Sequence, residues 1–401
     1  MASQELMTAL NELKTMAGDS LLLCAARRQS LKPVIMLREF MLGDLYPAIA
    51  RGCSKGLAAE QSREQLIQSP AMNKLLDERK MDSNGFAFNY VVMRHVVNRA
   101  PIFTVSPALH LMLEDTGVKE NIPVKYFAAP AATCYVEFEP PEKRLSSAFR
   151  TFAEGRYRIC EGCYVQETIF EKLPQLSQLA RQALELDPHL PARQINISFS
   201  ACPVDPDGHG SSKSGAGQVG DDTVDFFTFY LQDPDERLGE MFDRHLRFYA
   251  MRNEIEGGMS DYEFSAFTGN FRRNLMHLSK IFFYLNVEKR QQVKINDASE
   301  LEARIGKVAE KKQRKLVQQL SRVYDRIVVG PKDYTPINQR LQSGDLPKGT
   351  VRPHYRRGYF GIRYVGSGQA NHAELVRVKE ALINSQLLNE AEITPKQYEV
   401  R

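Results

Sequence analysis

"QINISFSA", residues 194–201, alternates Ile195, Ile197, Phe199 and Ala201 with Asn196, Ser198 and Ser200. Successive side chains of an extended strand point to opposite faces, so this period of two puts the apolar set on a core and the polar set toward water. Outward from it the same period recurs. In "TCYVEFEP" (133–140) Cys134, Val136 and Phe138 face inward while Glu137 and Glu139 face water, and "IPVKYFA" (122–128), "RICEGCYVQE" (158–167) and "TVDFFTFYLQ" (223–232) supply further strand candidates. The middle of the chain therefore predicts a mostly antiparallel sheet with one face packed on helices.

On both sides the period lengthens to that of a helix. Leu6, Leu10, Leu13 and Met16 recur at helical spacing before Gly18, and "SPAMNKLL" (69–76) and "SPALHLMLEDTG" (106–117) each place a serine cap before a first-turn proline. Beyond the sheet, "DPDERLGEMFDRHLRFYAMRN" (233–253) has Asp233 as cap, Pro234 as opener and a stripe of Leu238, Met241, Phe242 and Leu246. "FRRNLMHLSKIFFYLNV" (271–287) follows, with Leu275, Leu278, Ile281, Phe282 and Leu285 on one face. His245 and His277 lie beside these stripes and read as structural histidines. The expectation is an α+β fold: a body over 1–330, helical over 1–120, sheet-rich over 121–233 and helical over 234–330, then a linker and basic C-terminal arm over 331–401.

Composition excludes several classes. The 401 residues are 43% hydrophobic and 25% charged, ordinary for a globular chain, and the net charge of +4 says little until its placement is known. The opening "MASQELMTALNELKTMAG" lacks a basic region followed by an apolar run, and no eighteen-residue apolar stretch follows, so a cytoplasmic location is expected. Six cysteines in so long a chain do not make a disulfide framework. "CEGC" (160–163) has the spacing of half a zinc site, with Cys202 and His209 as the remote candidates to complete it, but no second such pair follows. No metal and no cofactor are expected.

Catalytic patterns fail on particular residues. In the glycine-rich "DPDGHGSSKSGAGQVGDD" (205–222), Ser212 precedes Lys213 where a phosphate loop needs glycine, which leaves a mobile hairpin loop as the reading. Glu254, Glu256 and Asp261 in "RNEIEGGMSDYEF" are a carboxylate cluster that a metal-dependent nuclease could use, yet their spacing does not converge on one ion. No catalytic residue is assigned.

Binding chemistry is better marked. "ARIGKVAEKKQRKLVQQLSRVYDRIVV" (303–329) reads as a basic helix, with Lys311, Lys312, Arg314 and Lys315 as its densest stretch. "RPHYRRGYFGIRYVGSGQ" (352–369) adds Arg352, His354, Tyr355, Arg356, Arg357, Tyr359, Phe360, Arg363 and Tyr364, and its glycine turn predicts a hairpin. Arginine forks bind phosphate or carboxylate, and aromatic rings stack on bases or on peptide side chains, so RNA and an acidic, aromatic protein segment fit equally. An arm outside the core predicts that Arg356 and Arg357 can be replaced without loss of stability.

The same stretch resembles the C-terminal Arg-Pro-His-x-Arg-Arg-Gly-His-Trp signature, closed by a Gly-x-Gly-Gln turn, of the plasmid- and phage-borne anti-CRISPR family that blocks biogenesis of the type V-A CRISPR effector nuclease. The matching positions are Arg352, Pro353, His354, Arg356, Arg357, Gly358, Gly366, Gly368 and Gln369. Tyr359-Phe360 stand where the family has His-Trp, and the glycine-rich stretch at 205–222 has no counterpart. "CYVEFE", "VDFFTFYLQDPDE" and "NLMHLSKIFFYLNVEK" extend the similarity in order along the chain. The resemblance implies a non-enzymatic counter-defence protein of a mobile genetic element. It would recognise the N-terminal segment of the effector as it emerges from the ribosome and block its production. A general RNA-binding accessory protein of a plasmid or phage is the alternative, and the nuclease reading is third.

Overall fold

The computed structural model describes parts of 52–100 and then residues 100–119, 121–138, 150–153, 156–173, 176–203, 223–256, 260–288, 292–295, 326–334, 354–366 and 372–383, with single positions between 304 and 316. The expected helix over Leu6–Met16 and the loop over 205–222 lie outside the described residues.

The sheet forms where the period of two predicts it. Strands β1 (Ile102–Val105), β2 (Gly117–Val118), β3 (Thr133–Glu137), β4 (Arg150–Ala153), β5 (Arg156–Phe170), β6 (Ala192–Pro203) and β7 (Thr223–Leu231) alternate with helices α1 (Ala59–Ile67), α2 (Pro107–Glu114) and α3 (Gln178–Ala183). Helices α4 (Leu238–Glu256) and α5 (Asp261–Val287) follow, then β8 (Gln292–Ile295), β9 (Arg326–Val329), β10 (His354–Arg356), β11 (Tyr359–Val365), β12 (His372–Val378) and β13 (Ala381–Ile383). The main sheet runs β7-β6-β5-β3-β1-β9-β8, with β4 also paired to β5. Its β3–β5, β4–β5, β5–β6, β6–β7 and β8–β9 pairs are antiparallel, and β1 lies parallel to both β3 and β9.

One face of this sheet carries the core. Cys134, Val136, Cys163, Val165, Ile195, Ile197, Phe199, Phe227 and Phe229 pack with Leu109 and Leu113 of α2, Met241 and Phe242 of α4, and Phe271, Leu275, Leu278 and Phe282 of α5. Phe127, Phe229, Phe242 and Phe282 meet edge-on or tilted at 5.4–6.1 Å between ring centroids. His245 joins this layer as a neutral ring: Nδ1 donates to Met241 O at 2.9 Å, Nε2 accepts from Tyr230 N at 3.1 Å, and burial pushes its pKa down to about 3. His277 stacks on His110, with ring nitrogens 3.2 Å apart.

"CEGC" resolves into a strand irregularity. Residues three apart in a regular strand face opposite ways, but the β5–β6 register shifts between Cys160 and Gly162, and the extra residue returns Cys160 and Cys163 to the core face, both fully buried. Burial drives the Cys163 thiol up and holds Cys134 near 12, so these thiols behave as small apolar groups.

The opposite face departs from the sequence expectation. Glu137, Asn196 and Ser198, read as facing water, are buried, as are Gln166 and Gln194. Several of them are bonded to neighbours on the same face: Thr104 Oγ1 donates to Glu137 at 2.7 Å, Gln194 Nε2 to Tyr230 Oη at 3.0 Å and Thr228 Oγ1 to Asn196 at 2.9 Å. A second layer covers them, and Arg94 Nη1 reaches Thr168 Oγ1 at 3.0 Å from it.

Other differences are local. "IPVKYFA" forms a 3-10 turn over Val124–Tyr126, because Val124 N and Lys125 N donate to Glu236 O and Pro234 O rather than to a neighbouring strand. Those same carbonyls delay α4, which starts at Leu238, while Asp233 Oδ1 accepts from Asp235 N in a turn. Strands β1 and β9 fall inside segments read as helical, since four buried residues carry no period of their own.

Gly162 is the tightest point of the sheet. A Cβ there would lie 2.2 Å from Tyr135 Oη and 2.8 Å from Val136 O. Gly162→Ala should cost about 1–3 kcal/mol by overpacking, read as a lower urea midpoint with unchanged slope; an unchanged midpoint would show that Tyr135 swings aside freely.

Candidate functional site

The C-terminal stretch is a small sheet seated on the body. Strand β11 pairs antiparallel with β12 from Tyr359↔Val378 to Val365↔His372, and parallel with β2 through Gly117 and Val118. Gly366 opens the turn in the left-handed region at φ 111°, as the hairpin reading expects. Strand β10 pairs with β13 in a separate two-stranded sheet.

What seats it is the C-terminus of α2. The serine-proline start forms as expected, with Ser106 Oγ accepting from Leu109 N at 3.1 Å, but the helix has no basic residue in its last turn. The cations arrive from elsewhere. Lys280 Nζ of α5 donates to Leu113 O at 2.8 Å, and Arg357 donates through Nε to Asp115 O at 2.5 Å and through Nη2 to Glu114 O. The outward-pointing carbonyls and the negative end of the helix dipole favour positive charge at this point. Tyr334 Oη closes the group on Asp115 Oδ2 at 2.9 Å. Burial, with Arg357 adjoining, pushes Lys280 down to about 8.

Alternation then sorts the hairpin. Phe360 is fully buried against Phe283, 5.6 Å between centroids, and Ile362 and Leu375 pack beside it. On the outer side Tyr359 lies under Lys119 Nζ at 4.8 Å, a cation–π contact. Gly361 gives that stack its floor: a Cβ would sit 3.2 Å from both Lys119 Cγ and Tyr359 Cε2. Arg363 stands opposite Glu374, whose carboxylate pairs with His372 at 2.7 Å. At the tip Tyr364 is 70% exposed. Lys125, over the Tyr126 ring at 5.7 Å and paired to Asp235 at 2.6 Å, lies within the electrostatic reach of Tyr364. Tyr126 Oη donates to Ala373 O at 2.7 Å, which ties the tip to the 3-10 turn.

The residues expected to bind therefore divide. Tyr359 and Arg363 share the outer face with Lys119, whereas Tyr364, on Phe360's side of the strand, is exposed at the tip near Lys125 and Tyr126; the three partners lie more than two hundred residues earlier in the chain. Two expectations need correction. Phe360 is a core residue rather than an open stacking face, because its place in the alternation points it at α5; Arg357, expected to be free for a ligand, is held by backbone carbonyls. His354, Tyr355 and Arg356 belong to β10, and their side chains, like Arg352, lie outside the described residues. In the basic stretch Lys312 is exposed, while Lys311, Arg314 and Lys315 lie outside the described residues. Glu254 and Asp261 are exposed, and no group of three His, Cys, Asp or Glu among the described residues is placed to hold a metal ion. No helix among them is long and apolar enough to cross a membrane.

Comparison with known proteins gives one family. Residues 103–364 match the AcrVA2-like profile, described as the anti-CRISPR type V subtype A2 family. Among solved structures, the chain is similar to the one described as "Crystal structure of AcrVA2", at 13% identity and a TM-score of 0.38, over 94% of this chain and 98% of that one. No curated protein matches.

Two predictions follow from the seat on α2. Arg357→Ala should lower stability by about 1 kcal/mol, measured by urea unfolding, in contrast to a free arm, for which the midpoint would not move. Lys280 supplies the pH signature. Its folded pKa lies below the unfolded value, so between about pH 8 and 10.5 the unfolded chain binds the extra proton and this group adds stability as pH rises. Lys280→Met should abolish that rising component, seen as a gap between the two urea midpoints that changes across the window; a pH-independent gap would refute it.

Proposed function

The chain belongs to the anti-CRISPR type V subtype A2 family, and on that premise we propose that it is a non-enzymatic counter-defence protein that binds a segment of a type V-A effector to block its production. Membership in the family makes the protein an anti-CRISPR and its partner a protein component of a CRISPR system. The finer reading is that the ligand is the effector's N-terminal segment, taken as it leaves the ribosome in the cytoplasm of a cell carrying a phage or plasmid.

One observation carries the choice of surface. The family match runs from Phe103 to Tyr364, so it takes in β11 and its outer face along with the main sheet. That face offers Lys119 and Arg363 beside the Tyr359 ring, and the hairpin tip adds the exposed Tyr364 near Lys125 and Tyr126. Cations next to half-buried rings suit a segment that carries both carboxylate and aromatic groups. Apolar burial against Tyr359 and Val376 makes such binding resistant to salt, whereas RNA held by phosphate contacts would be released steeply.

The test is a titration of the full chain against overlapping peptides spanning a type V-A effector, and against bulk RNA, at low and high salt. An N-terminal peptide should bind with little salt dependence, and Arg363→Ala with Tyr364→Ala should weaken it about tenfold, the loss of roughly one good polar contact. Interaction with RNA alone, losing about 0.7 decades per phosphate contact for each decade of salt, would replace this reading with the RNA-binding one.

A further inference from the structure

Two carboxylates stand among the cations of the proposed site, and the backbone puts them there. Asp235 Oδ1 lies 2.6 Å from Lys125 Nζ. This is no chance meeting of two surface side chains. Val124 N donates to Glu236 O at 2.8 Å and Lys125 N to Pro234 O at 3.0 Å, which sets Asp235 alongside Lys125, and Asp235 N is itself bonded to Asp233 Oδ1 at 2.9 Å. Glu374 is placed by strand pairing. It stands directly opposite Arg363 in the β11–β12 register, so both project from the outer face, and His372, two residues away, meets its carboxylate at 2.7 Å. Both acids are open to an approaching ligand, with side chains 70% and 50% exposed.

Exposed ion pairs contribute little to stability, so the consequence of these two acids falls on what can approach the cations beside them. Among the described residues, the face and tip set Lys119, Lys125 and Arg363 against Asp235 and Glu374. A nucleic acid brings a phosphate with every nucleotide, and phosphates that reach Lys125 and Arg363 must lie beside both acids. A polypeptide can alternate its charges. An acidic side chain can take Lys119 or Arg363 while a basic one meets Asp235 or Glu374, and apolar groups between them lie on Tyr359 and Val376. Charges arranged in this way select among partners more than they add affinity, because each wrong partner meets a like charge.

We propose that Asp235 and Glu374 are specificity-determining residues of this site: they admit a polypeptide segment that carries a basic group beside its acidic and aromatic ones, and they turn away polyanions, RNA among them. The inference rests on the proposed function for the source of the peptide; its RNA arm needs no effector peptide.

The test titrates the full chain at low salt with a single-stranded oligouridylate and with the overlapping effector peptides. Work at about pH 8 keeps the His372 ring from adding charge. Asp235→Asn with Glu374→Gln should tighten oligouridylate binding about tenfold, the effect of removing two like charges a few ångströms away in a water-like dielectric. Adding Lys125→Ala and Arg363→Ala should abolish that gain. The peptide that binds should contain Lys or Arg, and neutralising that residue should weaken its binding to the unmodified chain severalfold while leaving its binding to the Asn/Gln variant nearly unchanged. Asp235→Asn alone, with a gain of about threefold, carries the same reading should the double variant lose its fold. No gain in oligouridylate affinity, or a gain that survives the loss of Lys125 and Arg363, overturns the inference and leaves the proposed function standing. So does a neutralised peptide that loses affinity equally for both chains. If no effector peptide binds the unmodified chain, the proposed function fails by itself, and the inference stands or falls on the oligouridylate comparison.

Discussion

Three backbone carbonyls at the end of α2, those of Leu113, Glu114 and Asp115, hold the C-terminal part of this protein to its body. At a helix C-terminus the last carbonyls point out of the helix, and Lys280 from α5 and Arg357 from the hairpin donate to them. Because α2 follows directly from β1, an inner strand of the main sheet, this one helix end connects the sheet, α5 and the hairpin. Everything on the outer face of β11 inherits its position from that junction: Gly117 N donates to Gly358 O at 2.8 Å and Lys119 N to Phe360 O at 3.0 Å, one step beyond the helix end.

The junction also explains why a strongly basic stretch sits so close to a core. Arg357 and Arg377 are used inside the protein, the latter paired with Glu380 at 3.2 Å, and Phe360 is an internal anchor. The groups that remain outward are a narrower set of Tyr359, Arg363 and Tyr364, enlarged by lysines from the segment between α2 and β3. A dense run of one chemistry in sequence is thus divided by the strand period, with Phe360 inward and Tyr359 and Arg363 outward, while Tyr364 is exposed because the strand end runs past the body.

The main sheet shows the same division on a larger scale. One face is apolar and packed by α2, α4 and α5. The other is polar and buried, with Gln194, Asn196, Thr228 and Tyr230 bonded to one another and Gln166 Nε2 donating to Thr168. Antiparallel sheets commonly leave their second face to water. Here that face keeps the polar composition of a wetted surface while lying buried.

Periodicity alone was sufficient for β3, β5, β6, β7, the α5 stripe and the β11 hairpin, because each carries its own alternating or helical pattern and needs no distant residue to declare it. The family resemblance was likewise legible, in the "RPHYRRG" stretch and its glycine turn. Four-residue β1 and β9 were not legible: a short strand has no period, and only their pairing inside the sheet makes them strands. Nor could any local pattern tell that Arg357 would be consumed by carbonyls 242 residues away, or that Lys119 would lie over Tyr359. The sequence determined which side of each strand is apolar and which polar, since that follows from neighbours two residues apart; whether a polar side meets water, a cover or a partner depends on what the rest of the chain folds against it, and that was decided only in three dimensions.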